Sequence, residues 1–274
     1  MNAQNRHLRY VKSYSFLLII AAGLGTYGID NKASAIGAAL VIIGSIFISI
    51  LMVLKNDEDT WYRARAVAES VKTSAWRFMM RGEPYTDSHS MEIVKSELRG
   101  RLKSILNEHR DLSLEIGGEI SEEEQITAFM CEIRNKPLLE RVTFYRKHRI
   151  DEQRGWYARK SAFNRRNSKN WFSVLVGCQA IAVILVVLRV AYPEWRFWPT
   201  EIFLVAAGSA LTWIQVKRFR ELASAYGLTA HEIGVIRGEL EDVTEESHFA
   251  QFDTDSESAF SREHTQWLAR KDVV

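Results

Sequence analysis

Cysteine is nearly absent from the 274 residues: Cys131 and Cys178 are the two present. By themselves these two cannot form a disulfide framework or a four-ligand zinc site. Proline is almost as scarce, and its four copies, Pro84, Pro137, Pro193 and Pro199, stand where helices are expected to stop or turn. An excess of charge of one sign is also missing. The 36 Lys+Arg against 34 Asp+Glu leave a formal net charge of +2, which argues against nucleic-acid coating by the whole chain. Residues 55–170 lack strand-like alternation of useful length. What the chain has in quantity is apolar sequence gathered into two blocks, with charge concentrated elsewhere.

The first block runs from Tyr14 to Leu54, interrupted by Asp30, Asn31 and Lys32. It reads as a hairpin of two helices, Tyr14–Gly28 and Ala33–Leu54. A bilayer span needs ~20 residues, so the first arm borrows Tyr10 to Ser13, with Lys12 reaching back to the interface. The second block is Trp171–Leu188, a turn holding Pro193 and Pro199, then Trp198–Ile214. A cleaved leader does not fit Ser15–Gly28, because a second long apolar stretch follows at once with no A-x-A-type site between. The expected fold is therefore an all-α membrane protein with two transmembrane helical hairpins (four spans) and a cytoplasmic helical domain. Its divisions are 1–54, 55–170, 171–214 and 215–274.

Orientation follows from flanking cations. Arg6, Arg9 and Lys12 precede the first span and Lys55 follows the second. Arg165, Arg166 and Lys169 precede the third, and Lys217, Arg218 and Arg220 follow the fourth. The hairpin turns hold Lys32, then Arg189 and Arg196. The positive-inside rule places both termini and residues 55–170 in the cytoplasm, with Trp171 and Trp213 at the inner interface and Trp195 and Trp198 at the outer one. A chain so arranged is neither an exported receptor nor a periplasmic enzyme.

The span centres carry no Asp, Glu, Lys or Arg. A charge at the bilayer centre costs about 2.5–3.5 kcal/mol on insertion scales and marks function when present, so its absence speaks against a voltage sensor, a proton relay or a carboxylate-coupled transporter. Ser45, Ser49, Gln179, Ser209 and Thr212 are the uncharged polar groups. They suit either the lining of an oligomeric water-filled pore or helix–helix hydrogen bonding. Gly23-x-Gly25-x-x-Gly28 matches the dinucleotide fingerprint in letters, but it lies in a membrane span with no strand before it, so it is assigned to close helix packing, as are Gly37 and Gly44.

In the first cytoplasmic helix, starting near Asp59 or Thr60, Trp61, Arg65, Glu69, Lys72 and Trp76 share an arc of ~80°. This mixed stripe suits a packed face and is assigned to assembly, together with Trp156 and Trp267. Gly82 and Pro84 end the helix. A second helix, Ser90–His109, sets Val94, Leu98, Leu102 and Ile105 on one face beside a basic stripe of Lys95, Arg99 and Lys103. Those three cations, with Arg77 and Arg81, are candidates for holding a nucleotide phosphate; a solvated helix face is the other reading. Ser121-x-x-Glu124 has capping-box spacing and opens a third helix towards Ile133. A fourth runs from Pro137 through Trp156 and Phe163 into the third span. The helix of the fourth span is expected to continue over Lys217–Tyr226, with further helical pieces over Thr229–Glu241 and Glu257–Arg270. Between Glu239 and Ser261 there are eight carboxylates and no Lys or Arg, read as a solvated acidic surface facing the basic helices, with a divalent-metal site as the alternative.

Three stretches resemble the SLATT family, the SMODS and SLOG-associating two-transmembrane effector domains of bacteria. They are Trp61-Tyr62-x-x-Arg65-x-x-Ala68-Glu69-Ser70-x-Lys72-x-x-x-Trp76-Arg77 after the first hairpin, Gln153-x-x-Trp156-Tyr157-x-x-Lys160 before the second, and Ser261-Arg262-Glu263-His264-Thr265-x-Trp267. The resemblance implies a bacterial antiviral effector of the inner membrane that forms a homo-oligomeric pore or ion channel. It implies gating by a cytosolic nucleotide or oligonucleotide made by a partner nucleotidyltransferase. Some members carry a fused sensor; here the ligand site is expected within 55–170 and 215–274. A ring of subunits is required, because one copy has too few polar faces to enclose a pore, and a tetramer is the expected count. The alternative is a membrane scaffold recruiting a cytosolic partner through the Trp61/Trp76 face. An enzyme is not expected: His231-Glu232, Glu263-His264, His109, His148 and His248 show no metal-ligand or triad spacing. No cofactor, metal ligand or catalytic residue is assigned.

Overall fold

The computed structural model describes the backbone of residues 2–28, 32–54, 57–87, 90–110 and 124–271. Side chains are described over the same residues except 2–5, 7, 27–28, 53, 57–62 and 261–271. Every regular element among the described residues is helical. The helices are α1 (Asn2–Gly28), α2 (Lys32–Leu54), α3 (Asp57–Met80), α4 (Met91–Glu108), α5 (Ala128–Asn135), α6 (Leu138–Tyr145), α7 (Glu152–Ala191), α8 (Thr200–Lys217), α9 (Phe219–Glu239) and α10 (Glu246–Lys271). A π-helical segment, Arg146–Asp151, joins α6 to α7, and a 3₁₀ turn, Leu240–Asp242, follows α9.

The chain forms two compact units. One holds residues 1–58 and 158–227, the other 59–157 and 228–274.

In the first unit α1 lies along α2 and also packs on α8. The glycines expected to permit close packing do so at three positions. A Cβ on Gly37 would meet Leu24 Cδ1 at 3.5 Å, one on Gly44 would meet Leu17 Cδ1 at 3.9 Å, and one on Gly23 would meet Ile202 Cδ1 at 3.6 Å. Gly25 faces open space. Among the described residues, two stretches are long and apolar enough to cross a bilayer: Lys32–Met52, and one within the continuous helical run Leu138–Ala191. The large apolar side chains of both stretches stay exposed, Ile43, Phe47, Val183 and Val187 among them. A helix apolar on every side needs lipid or other protein around it. The other two expected arms are helical as well, but they do not meet the same measure of length and hydropathy. Ser15 and three glycines dilute the apolar run of α1, while Glu201 and Lys217 lie within α8.

The second unit is built on α3. Its C-terminus turns through Arg81 in the left-handed region (φ 65°), with Gly82 N–H donating to the Arg77 carbonyl at 2.9 Å. This closure is of the Schellman type and uses an arginine where glycine is usual. The second expected helix is α4, which buries Val94, Leu98 and Ile105, with Ile105 packed on Val67 and Val71 of α3.

The third helix opens later than its expected cap. Ser121 lies outside the described residues, and α5 begins at Ala128, where Thr127 Oγ1 accepts from Met130 N–H. The helix after Pro137 does run into the apolar stretch, with one π turn inserted. The expected continuation of the fourth arm past Lys217 is broken instead. Arg218 takes a left-handed φ of 47° and starts a new helix, α9, which absorbs the two pieces expected there. Likewise α10 begins at Glu246 rather than at Glu257.

Candidate functional site

Within the second unit the structure buries a set of charges that the sequence presents as surface. Arg134, Arg141 and Arg149 are at most 2% exposed. Arg134 belongs to α5, before the Lys136–Pro137 break, whereas Arg141 and Arg149 are eight residues apart along one helical run. Seven residues would nearly complete two helical turns, and the additional residue falls where the π segment widens the helix. The π turn thereby brings Arg149, rather than His148, into the interior; His148 stays half-exposed, within 3.4 Å of Glu152. Such π segments occur frequently at functional sites.

Opposite these arginines α10 carries Glu246, Asp253 and Glu257, interleaved with the buried rings Phe249 and Phe260. The acidic segment expected to face basic helices does meet arginines, but its inward carboxylates are buried rather than solvated. Asp253 and Glu257 are fully buried, because seven- and four-residue spacing puts them on the inward face of α10. Arg141 forks onto both oxygens of Glu246 and donates to the Met80 carbonyl at 2.8 Å. Arg134 caps the end of α3, donating to the carbonyls of Phe78 and Tyr85, each at 2.7 Å. Arg149 donates to Glu257 through Nε at 2.7 Å and Nη2 at 2.6 Å. The remaining acceptor capacity of Glu257 is taken by Tyr145 Oη at 2.9 Å and Thr73 Oγ1 at 3.0 Å. Gln153, with its amide turned to satisfy both neighbours, accepts from Lys72 Nζ at 2.7 Å and Arg149 Nη1 at 2.9 Å.

Two groups are not so satisfied. Among the described residues, both carboxyl oxygens of Asp253 and the Nε of Arg77 are buried with no hydrogen-bond partner. The single Tyr145 hydroxyl proton goes to Glu257, so none is left for Asp253. Burial, then the charge of Glu257, hold the Asp253 carboxyl well above the usual carboxylate range, against the pull of Arg77 and Arg149. The Tyr145 phenol is also pushed well up, by burial and then by the charges of Glu257 and Asp253. For Arg149, burial favours deprotonation, but the charge and hydrogen bonds of Glu257 outweigh it and raise its pKa. The Lys72 ammonium is pulled down by burial and then by Arg149.

The five nucleotide-binding candidates separate into two groups. Arg77 Nη2 donates to the Thr254 carbonyl (3.1 Å) and Ser258 Oγ (2.8 Å) of α10. Arg81 donates twice to the Arg134 carbonyl and pairs with Asp87. Both are thus engaged within the fold, although among the described residues Arg77 Nε is left without a partner. On α4, Arg99 and Lys103 are exposed and Lys95 is half-buried, with Arg99 Nε donating to the Lys95 carbonyl at 3.3 Å.

Most of the stripe assigned to assembly meets this same chain. Trp76 packs on Phe144 and Tyr145 at centroid distances of 5.8 and 5.5 Å, and the Arg65 guanidinium stands 5.8 Å over the half-buried Trp156 ring. The charge of Glu69 acts on Lys72 and Arg149. The side chains of Trp61 and Trp267 lie outside the described residues.

Of the pore-lining candidates, Ser45 is buried and donates to the Ile42 carbonyl at 2.7 Å, and Ser49 donates to that of Ser45 at 3.1 Å. Thr212 donates to the Gly208 carbonyl at 3.0 Å. These hydroxyls satisfy themselves along their own helices. Gln179 and Thr212 are exposed, and Ser209 is half-buried.

Sequence reasoning missed Arg134, Arg141, Arg149, Tyr145, Glu246, Asp253 and Glu257. The usable signal was the near-heptad spacing of arginines opposite a phenylalanine-bearing acidic helix.

Two family models match the chain end to end. SMODS and SLOG-associating 2TM effector domain 3 matches residues 1–142, and SMODS and SLOG-associating 2TM effector domain 1 matches residues 145–267. No curated protein and no solved structure matches it.

Proposed function

Because the chain belongs to the SLATT family of two-transmembrane effector domains, we propose that it is a homo-oligomeric pore of the bacterial inner membrane, gated by a cytosolic nucleotide or oligonucleotide. The observation that carries this reading is the match of two such domains in one chain together with two helical stretches able to cross a bilayer. In this reading α1 and α8 complete the two hairpins and both termini face the cytosol, as the flanking cations favour. A ring of copies, four as the working number, brings hydroxyl and amide groups of several subunits around one axis.

The ligand role falls to the outward cations of α4, Lys95, Arg99 and Lys103, repeated around that axis, while Arg77 and Arg81 keep α3 in place. Movement reaches the membrane through α7, a single helix from Glu152 to Ala191. It starts beside the π segment and continues as the apolar stretch. Gating requires the nucleotide to bind the open and closed states with different affinity. The reading includes no catalytic step.

The test is ion flux in liposomes holding the purified chain, with cyclic and linear oligonucleotides added at the cytosolic face. Nucleotide-dependent flux is expected. Its absence with every nucleotide, in vesicles where the protein is inserted and oligomeric, would contradict the proposal. A second reading, a membrane anchor for a cytosolic partner, is favoured by the exposed Phe129 and Leu139 rather than by Trp76, which is already packed. It expects partner capture without flux.

A further inference from the structure

The first unit holds a polar site that the buried arginine cluster does not involve. Trp213, on α8, is 9% exposed, and among the described residues its indole Nε1 has no acceptor. A buried N–H left unpaired costs free energy that an acceptor would recover. The ammonium of Lys12, from α1, stands 5.3 Å from the Trp213 ring centroid, and that of Lys217 stands 5.4 Å from it. Val11, Phe219 and the half-buried Trp171 pack around the same indole, so the floor of the site is apolar.

Among the described residues, the charges that act on Lys217 are all of one sign. Burial first, then Lys12, then Lys160, push the Lys217 ammonium down, with no described carboxylate offsetting them. Among the described residues neither Lys12 nor Lys217 is ion-paired. Three donors that cannot satisfy one another, from two packed helices, gather about one indole, and an anion with several oxygens offers acceptors for them.

We propose that Lys12, Lys217 and the Trp213 indole N–H form a receptor for a phosphate group where α1 meets α8. Phosphate presents several strong acceptor oxygens to ammonium groups arriving from different directions. In a membrane-inserted chain, a basic pocket with tryptophan at the end of apolar helices is where a lipid headgroup phosphate arrives. The same chemistry admits the phosphate of a soluble nucleotide. The site is separate from the α4 cations, and its occupation does not depend on the chain conducting ions.

The experiment uses the full chain in detergent and follows its thermal midpoint and its bound mass by native mass spectrometry. Phosphatidylglycerol is titrated in one arm, and inorganic phosphate and ATP in another. A rise in midpoint with retained lipid identifies a headgroup, and a rise with ATP or phosphate alone identifies a soluble source; either supports the receptor. The response is expected to weaken about tenfold or more in K12Q/K217Q, to survive in K12R/K217R, and to weaken in W213F, which keeps a ring but loses the donor. No response in the wild type, or equal responses in the wild type, K12Q/K217Q and W213F, would overturn the proposal.

Discussion

Arg149 and Glu257 are joined by two hydrogen bonds of 2.7 and 2.6 Å, and each side chain is no more than 1% exposed. The pair fastens α10 to the π segment between α6 and α7, and Tyr145 and Thr73 complete its polar contacts. A buried pair of this kind contributes little net stability relative to well-packed apolar residues, but losing one member strands the other. Its consequence is a docking position for α10 that depends on both partners at once.

Glu257→Gln or Arg149→Met should each lower the stability of the second unit by about 3–5 kcal/mol, since each leaves a charged or polar partner buried without its mate. R149M/E257Q should cost less than the sum of the two. Denaturant unfolding followed by tryptophan fluorescence measures this, and strictly additive losses would show that the two residues are uncoupled.

Asp253 gives a pH dependence of definite sign. Its ordinary value is 3.8, and the folded chain holds the proton to higher pH. Above pH 3.8 the folded state therefore binds more protons than the unfolded one, and this group's contribution to stability falls as pH rises through the folded pKa. Asp253→Asn keeps the shape of the neutral acid, so it should flatten that part of the profile and stabilise the protein at neutral pH. A wild-type slope retained in the variant would contradict the assignment.

Gly82 leaves room for Asp253. A Cβ at position 82 would overlap Asp253 Oδ2 and lie 3.3 Å from Thr254 Oγ1. Gly82→Ala should therefore be destabilising in the wild type and far better tolerated beside Asp253→Ala, with a coupling of roughly 1–3 kcal/mol in a double-mutant cycle. Equal costs in the two backgrounds would rule out the contact.

Trp76→Ala should remove about 3–5 kcal/mol, because the ring is packed between Phe144 and Tyr145 rather than offered to solvent. The expected result is loss of folded, assembled protein rather than a selective defect in gating. Thermal melts and size-exclusion profiles of the variant test it.

Hydrophobic period located the helices well. Val94, Leu98 and Ile105 mark the buried face of α4, and the apolar blocks mark α2 and the distal part of α7. Breaks that depend on backbone conformation left no such trace. Arg218 and Arg81 adopt left-handed φ values that their residue type does not announce.

The buried charges were illegible for a different reason. Composition assigns Arg and Glu to the surface, and partnering across 108 positions, as between Arg149 and Glu257, has no local signature. The π turn conceals the pattern further by changing the arginine spacing from seven to eight. Arg77 shows the same effect in reverse. Its cationic character suggested a ligand, whereas Thr254 and Ser258 already occupy it.

The account depends most on the triggering surface lying inside the cell. Gly100, on α4, faces open space, so Gly100→Cys in a C131S/C178S background provides a single accessible thiol. In spheroplasts of a bacterial host, a membrane-impermeant maleimide should leave this thiol unlabelled until the membrane is permeabilised. Labelling before permeabilisation would place α4 outside and contradict an internally gated effector.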